Sequence, residues 1–107
     1  MTPLRSQPYP FRRAERRIPM EISVYLEGNL HVPGGEATFT ENVSERGARV
    51  ISVRRWEPND RLTLTSHSGE FRSSARVAYC QPMQGDGFAI GLEFLEPRGR
   101  WVVQNAN

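Results

Sequence analysis

The strongest pattern in the sequence is Phe88-Ala89-Ile90-Gly91-Leu92-Glu93-Phe94, in which large apolar residues alternate with small or charged ones. Alternation with a period of two is typical of a β-strand that has one buried face. The four large apolar side chains share one face, and we expect that face to supply much of the core.

Shorter alternating runs precede this strand, separated by turn-forming Gly, Pro, Asn and Asp. They predict five more strands, at residues 21–27, 37–40, 48–53, 62–64 and 71–80, with a turn at residues 42–47 between the second and the third. Six short strands without any long helical periodicity indicate an all-β fold, a small antiparallel barrel that is closed or nearly closed.

The length of 107 residues fits one domain. The first ten residues contain three prolines and few apolar side chains, which favours a flexible N-terminal arm over residues 1–11. Residues 12–97 are predicted to form the barrel. Residues 98–107 are predicted to form a tail or a short helical turn, with Trp101 packed back on the barrel.

Several classes of protein are disfavoured by what the sequence lacks. No apolar run approaches the ~20 residues needed to cross a bilayer, and the start of the chain lacks the apolar stretch of a signal peptide, so we expect a cytoplasmic protein. Cys80 is the single cysteine, and His31 and His67 are the two histidines. We therefore expect no disulfide, metal site, cofactor or enzymatic activity.

The positive charge is concentrated at the N-terminal end. All 14 basic residues are arginines, although the net charge is only +2. Arginine presents a planar fork that can bind phosphates and guanine edges with paired hydrogen bonds, and its flat face can stack on bases. Five of the arginines precede Pro19, against the single acid Glu15: Arg5, Arg12, Arg13, Arg16 and Arg17.

Two motifs carry the functional signal. The first is Arg13-Ala14-Glu15-Arg16-Arg17-Ile18-Pro19, and the second is Asn42-Val43-Ser44-Glu45-Arg46-Gly47. With Gly91-Leu92-Glu93-Phe94 near the end of the last strand, the chain resembles the PilZ domain family over residues 12–97. That family has Arg-x-x-x-Arg before a proline, then Asp/Asn-x-Ser-x-x-Gly, then Gly-x-x-Phe.

The resemblance implies a non-catalytic β-barrel that binds cyclic di-GMP. Arg13 and Arg17 would bind phosphate or the O6/N7 edge of guanine, and Asn42 the N1/N2 edge. Ser44 would contact a phosphate or a base, and Gly47 would let the backbone turn or the ligand approach. The receptor would pass the signal on by ordering its N-terminal arm and binding a downstream protein.

Two features of these motifs concern how the ligand binds. Asn42 stands where a carboxylate would accept both guanine donors at once, whereas an amide has one acceptor oxygen, so the guanine contact is expected to be weaker. Arg12 precedes the first motif, and we hypothesise that it helps to hold a second, stacked ligand molecule.

Two other functions remain open from the sequence. The first is a PilZ-like interaction adaptor for pili or motility that does not use the nucleotide. The second is a small-barrel nucleic-acid binder that uses the basic arm, which is disfavoured because few aromatic residues are interleaved with the arginines.

Overall fold

The computed structural model describes residues 16–28 and 33–103. Every regular element in these two ranges is a β-strand. The eight strands are β1 (Ile18–Pro19), β2 (Ser23–Glu27), β3 (Gly35–Ser44), β4 (Gly47–Ser52), β5 (Arg61–Ser66), β6 (Phe71–Pro82), β7 (Phe88–Phe94) and β8 (Arg98–Gly99).

Six of the strands close into an antiparallel barrel, which confirms the fold predicted from the sequence. The strand order is β3-β2-β5-β6-β7-β4, and β4 pairs with β3 to complete the ring. Consecutive hairpins make two three-stranded meanders, β2-β3-β4 and β5-β6-β7. The two meanders are joined by the antiparallel pairing of β2 with β5 and of β4 with β7. Two short strands are not part of this ring. Strand β1 pairs with β3, and strand β8 pairs with β6.

Three of the four large apolar residues of β7 enter the core as the alternation predicts, whereas Phe88 is half-buried and lies outside it. Ile90, Leu92 and Phe94 of β7 point inward and are 0%, 5% and 7% exposed. Fully burying a side chain of this size contributes about 1.5–3 kcal/mol, so the inward-facing residues of six strands stabilise the barrel together. The other strands and their flanks contribute Val24, Leu26, Val43, Ala48, Val50, Trp56, Leu62, Leu64, Phe71, Ala75, Val77 and Trp101.

Three aromatic rings close one end of the barrel. Phe71 lies 4.6 Å from Trp101 and 5.0 Å from Phe94 between ring centroids, and Trp101 meets Phe94 edge-on at 5.0 Å. The Trp101 indole Nε1 donates to the Ser44 carbonyl oxygen at 2.8 Å. The predicted packing of Trp101 on the barrel is confirmed. Residues 98–103 contain no helical turn, and Arg98 and Gly99 instead form β8 against β6.

The other end of the barrel is closed by the connection between β4 and β5. Trp56 in this connection is 2% exposed, and its indole Nε1 donates to Ser52 Oγ at 3.0 Å. Ser52 Oγ in turn donates to Glu36 Oε1 at 2.8 Å. A buried indole needs such a partner, so the network fixes Trp56 across the end of the barrel.

Several predictions fall outside the described residues. They are the arm at residues 1–11, the sites at Arg12 and Arg13, and the last part of the C-terminal tail, residues 104–107. Nowhere in residues 16–28 and 33–103 does the structure contain a helix of the length and apolarity that crossing a bilayer requires.

Candidate binding site

Asn42 lies within β3, and not in a turn as predicted. Strand β3 continues to Ser44, and the turn to β4 consists only of Glu45 and Arg46. The pairing with β4 shifts between Thr40 and Asn42, which leaves one extra residue in β3 at this point. Such a β-bulge bends the strand and redirects side chains, and bulges are common beside functional sites.

Thr40, directly before this bulge, anchors the segment that connects β1 to β2. Its buried Oγ1 accepts a hydrogen bond from the Ile22 amide at 2.9 Å and donates one to the Met20 carbonyl at 2.7 Å. These bonds fix the chain between β1 and β2, and Pro19 then lies opposite Asn42. Arg17, directly before β1, is thereby brought to the outer face of β3.

Arg17 and Asn42 are joined by a hydrogen bond. The guanidinium Nη1 of Arg17 donates to Asn42 Oδ1 at 2.9 Å, across a separation of 25 residues in the chain. The two motifs picked out in the sequence therefore meet in space through one residue from each.

Ser44 occupies a different environment from Asn42. It is 1% exposed, and its hydroxyl donates to the Gly47 carbonyl at 3.5 Å across the short turn. Its own carbonyl accepts from Trp101. Ser44 is thus part of the turn and of the aromatic end of the barrel, and its contact with a ligand remains a prediction.

Gly47 is required by the approach of a neighbouring strand. A Cβ atom at this position would collide with the backbone carbonyl oxygen of Leu92 in β7. Gly47 pairs with Glu93 in that strand, so the absence of a side chain lets β4 and β7 lie side by side. The barrel itself accounts for this glycine, and a ligand contact at Gly47 remains a prediction.

A row of residues extends from Asn42 across three more strands. Asn42 pairs with Arg49, Arg49 with Gly91, and Gly91 with Tyr79. Side chains of directly paired residues lie on the same face of a sheet, so this row lies on the outer face of the barrel. A Cβ on Gly91 would collide with the Tyr79 ring, which shows that this ring lies directly over the glycine.

Arg49 is held by three side chains on this face. Its Nε donates to Glu41 Oε1 at 2.8 Å, and its Nη1 donates to Tyr79 Oη at 3.1 Å and to Gln81 Oε1 at 3.0 Å. The guanidinium carbon also lies 5.7 Å from the centroid of the Tyr79 ring. The bonds to Glu41 and Tyr79 raise the pKa of Arg49 above its ordinary value. As an arginine, Arg49 carries a permanent positive charge.

Together these residues form what we call the outer row: Arg17, Glu41, Asn42, Arg49, Tyr79 and Gln81. It offers two guanidinium groups for anions, a half-buried phenol ring for stacking, and amide and carboxylate groups for hydrogen bonds. These groups suit a ligand that carries both phosphates and flat bases. Over the described ranges no three side chains of His, Cys, Asp or Glu come together as a group that could hold a metal ion.

Four members of the outer row were not predicted from the sequence as site residues: Glu41, Arg49, Tyr79 and Gln81. Alternation does place Arg49 on the face opposite the buried Val50. However, only the register of β4, β7 and β6 shows that Tyr79 and Arg49 share that face with Asn42.

The fold is that of a small β-barrel domain, and the outer row is its candidate binding surface. Comparison with protein families identifies the family of this domain. The family described as PilZ domain matches residues 11–100, which is most of the chain. The protein belongs to the PilZ domain family, whose members are binding and adaptor domains of cyclic di-GMP signalling and not enzymes. No curated protein matches the chain significantly.

Proposed function

We propose that this protein is a cyclic di-GMP receptor that binds the nucleotide on the outer row. The observation that carries the proposal is the hydrogen bond from Arg17 to Asn42. It joins the two motifs of the family on one outer face, next to the cation of Arg49 and the ring of Tyr79.

The chemistry of the ligand matches these groups. Cyclic di-GMP carries two phosphates, which guanidinium groups bind through charge-assisted hydrogen bonds. It also carries two guanines, whose faces can stack on a phenol ring or on a guanidinium plane. The sequence adds two more arginines to this set, Arg12 and Arg13, which precede Arg17 by five and four residues.

The segment that precedes β1 would transmit ligand binding to a partner protein. Strand β1 pairs with β3 beside Asn42, so a ligand held by Arg17 also bonds to the chain that leads into β1. Binding would order this segment over the ligand and create a new surface for a partner protein.

Isothermal calorimetry of Arg17→Ala tests the proposal. Losing a charge-assisted contact costs about 1.5–3 kcal/mol, so the affinity for cyclic di-GMP should fall about ten- to a hundredfold. The matched control is Arg55→Ala, because Arg55 lies in the connection between β4 and β5 and forms an exposed ion pair with Glu57. This control should bind as the wild type does.

GTP and GMP serve as control ligands and should give no comparable heat. If the wild type gives no heat with cyclic di-GMP at high micromolar concentration, the protein is not a receptor for this nucleotide. Equal losses in Arg17→Ala and Arg55→Ala would show that binding is only a general attraction to positive charge.

A second function is favoured by Ser44 and Gly47. Both residues have roles in the barrel itself, since Ser44 is buried beside Trp101 and Gly47 accommodates Leu92. A PilZ-like adaptor that does not bind the nucleotide would keep them for the fold alone. Such an adaptor would give no heat with cyclic di-GMP while remaining folded, and the calorimetry above therefore separates the two functions.

A further inference from the structure

We infer that the carboxylate of Glu41, which belongs to neither family motif, is the group that recognises the N1/N2 edge of guanine in this protein. The inference rests on the proposed function, because it names the residue that would make the outer row specific for guanine. Glu41 places a negative charge in the middle of a surface that would bind an anionic ligand.

The β-bulge explains how Glu41 comes to be there. Thr40 pairs with Val50 and Asn42 pairs with Arg49, so Glu41 is the extra residue between two paired positions. Thr40 is buried, whereas Glu41 is exposed and Asn42 is half-buried. Two successive residues therefore have their side chains outside the barrel, which a regular strand would not allow.

Asn42 is poorly suited to the role that its position implies. Its single acceptor oxygen, Oδ1, already receives a hydrogen bond from Arg17 at 2.9 Å. The rest of the amide is an NH₂ group, which donates. The N1/N2 edge of guanine presents two donors, and Oδ1 of Asn42 has one lone pair left, so Asn42 can accept at most one of them.

Glu41 has the acceptor that this edge needs. Its Oε1 is bound by Arg49 at 2.8 Å, while its Oε2 has no hydrogen-bond partner among the residues that the structure describes. The side chain is 36% exposed, so the oxygen can be reached from solvent. A carboxylate can accept from N1–H and N2–H together.

The ion pair with Arg49 makes the acidic side chain of Glu41 compatible with an anionic ligand. Because Arg49 balances the charge of Glu41 at 2.8 Å, the acid does not present a bare negative charge to the phosphates. The same bond orients the carboxylate. Adenine would be rejected, since its N1 is an acceptor and would face the carboxylate oxygen without a proton between them.

The test is a double-mutant cycle between protein and ligand, measured by calorimetry. Wild type and Glu41→Gln are each titrated with cyclic di-GMP and with cyclic di-inosine monophosphate, which lacks only the 2-amino groups. The amide introduced by Glu41→Gln can still accept from Arg49, but it then turns an NH₂ donor toward the guanine. The control is Glu93→Gln, which alters a similar ion pair, with Arg76, outside the outer row.

We expect Glu41→Gln to weaken cyclic di-GMP binding about tenfold, and Glu93→Gln to leave it unchanged. Removing the 2-amino groups should weaken binding to the wild type about tenfold and to Glu41→Gln about threefold or less. Unchanged or tighter binding by Glu41→Gln would overturn the inference, as would an equal loss with the inosine ligand in both proteins. In either case the proposed function would stand. Absence of binding by the wild type would overturn both.

Discussion

At Gly47 and Gly91 the missing side chain serves two different purposes. A Cβ at Gly47 would meet backbone, the Leu92 carbonyl, whereas a Cβ at Gly91 would meet the ring of Tyr79. A side chain can move away and a paired strand cannot. Gly47 is therefore needed for the barrel to close, and Gly91 is needed for the ring of Tyr79 to lie over it in the outer row.

Replacement of Gly47 by alanine should be strongly destabilising. Forcing a methyl group against paired backbone should cost about 3 kcal/mol, at the upper part of the usual range for overpacking. Gly85→Ala is the matched control, because Gly85 has a φ of 81° but open space around its Cβ position. Its cost should be about 1 kcal/mol, from the backbone conformation alone.

Urea unfolding of the two variants measures both costs. Equal losses would mean that the approach of β7 is not what requires Gly47, and a ligand-binding role for this glycine would then become the better explanation.

Part of the outer row could be predicted residue by residue. Arg17 and Asn42 follow from their motifs, and the structure places them in contact. Glu41 and Tyr79 could not be predicted. The first depends on a bulge that no local propensity signals, and the second depends on the register between β6 and β7, which is set by packing across the whole barrel.

Among the elements, β8 and the residue that follows it extend the barrel beyond its last long strand. The amide of Arg100 donates to the Glu70 carbonyl at 2.8 Å, and Trp101 then covers the end of the barrel against Phe71 and Phe94. A tail of a few residues thus completes the core.

Trp101→Ala should remove this end of the core. Truncation of a large buried aromatic side chain costs about 3–5 kcal/mol, and here the hydrogen bond from the indole to the Ser44 carbonyl is also lost. The neighbouring variant Val102→Ala is the control, since Val102 is 46% exposed and should change stability by less than about 0.5 kcal/mol. Chemical unfolding followed by far-UV circular dichroism compares the two, and similar midpoints would contradict a structural role for the tail.

The strands themselves were largely predictable, because alternation depends only on which face of a strand is buried. The six predicted runs correspond to the six ring strands, and Phe88–Phe94 is reproduced in full. Two elements were not predictable. Strands β1 and β8 have two residues each, which is too few for any period. Arg98 and Gly99 lie along β6 because of pairing and not because of their own propensity.

On the scale of the whole molecule, the outer row crosses one of the two joins between the meanders. Asn42 and Arg49 belong to the first meander, and Gly91 and Tyr79 belong to the second. A ligand that touches Arg17 and Tyr79 would therefore hold both halves of the barrel at once.

Saturation with cyclic di-GMP should accordingly stabilise the folded barrel. At a ligand concentration of one hundred times Kd the gain is about 2.7 kcal/mol, which corresponds to a rise in Tm of about 10 °C or more for a domain of this size. Differential scanning calorimetry measures the shift, and hydrogen exchange should show added protection in both β4 and β7. Added protection in only one meander would contradict a site that spans the join.

The closed ring also has a consequence for how the chain reaches this structure. Each meander forms from neighbouring hairpins, but the pairings β2–β5 and β4–β7 bring together distant parts of the chain and carry the larger entropic cost. Until both pairings have formed, each meander has two open strand edges, which can pair with those of other molecules. A nascent chain is thus most prone to aggregate just before closure, and a nucleotide that bridges β4 and β7 would favour the closed product.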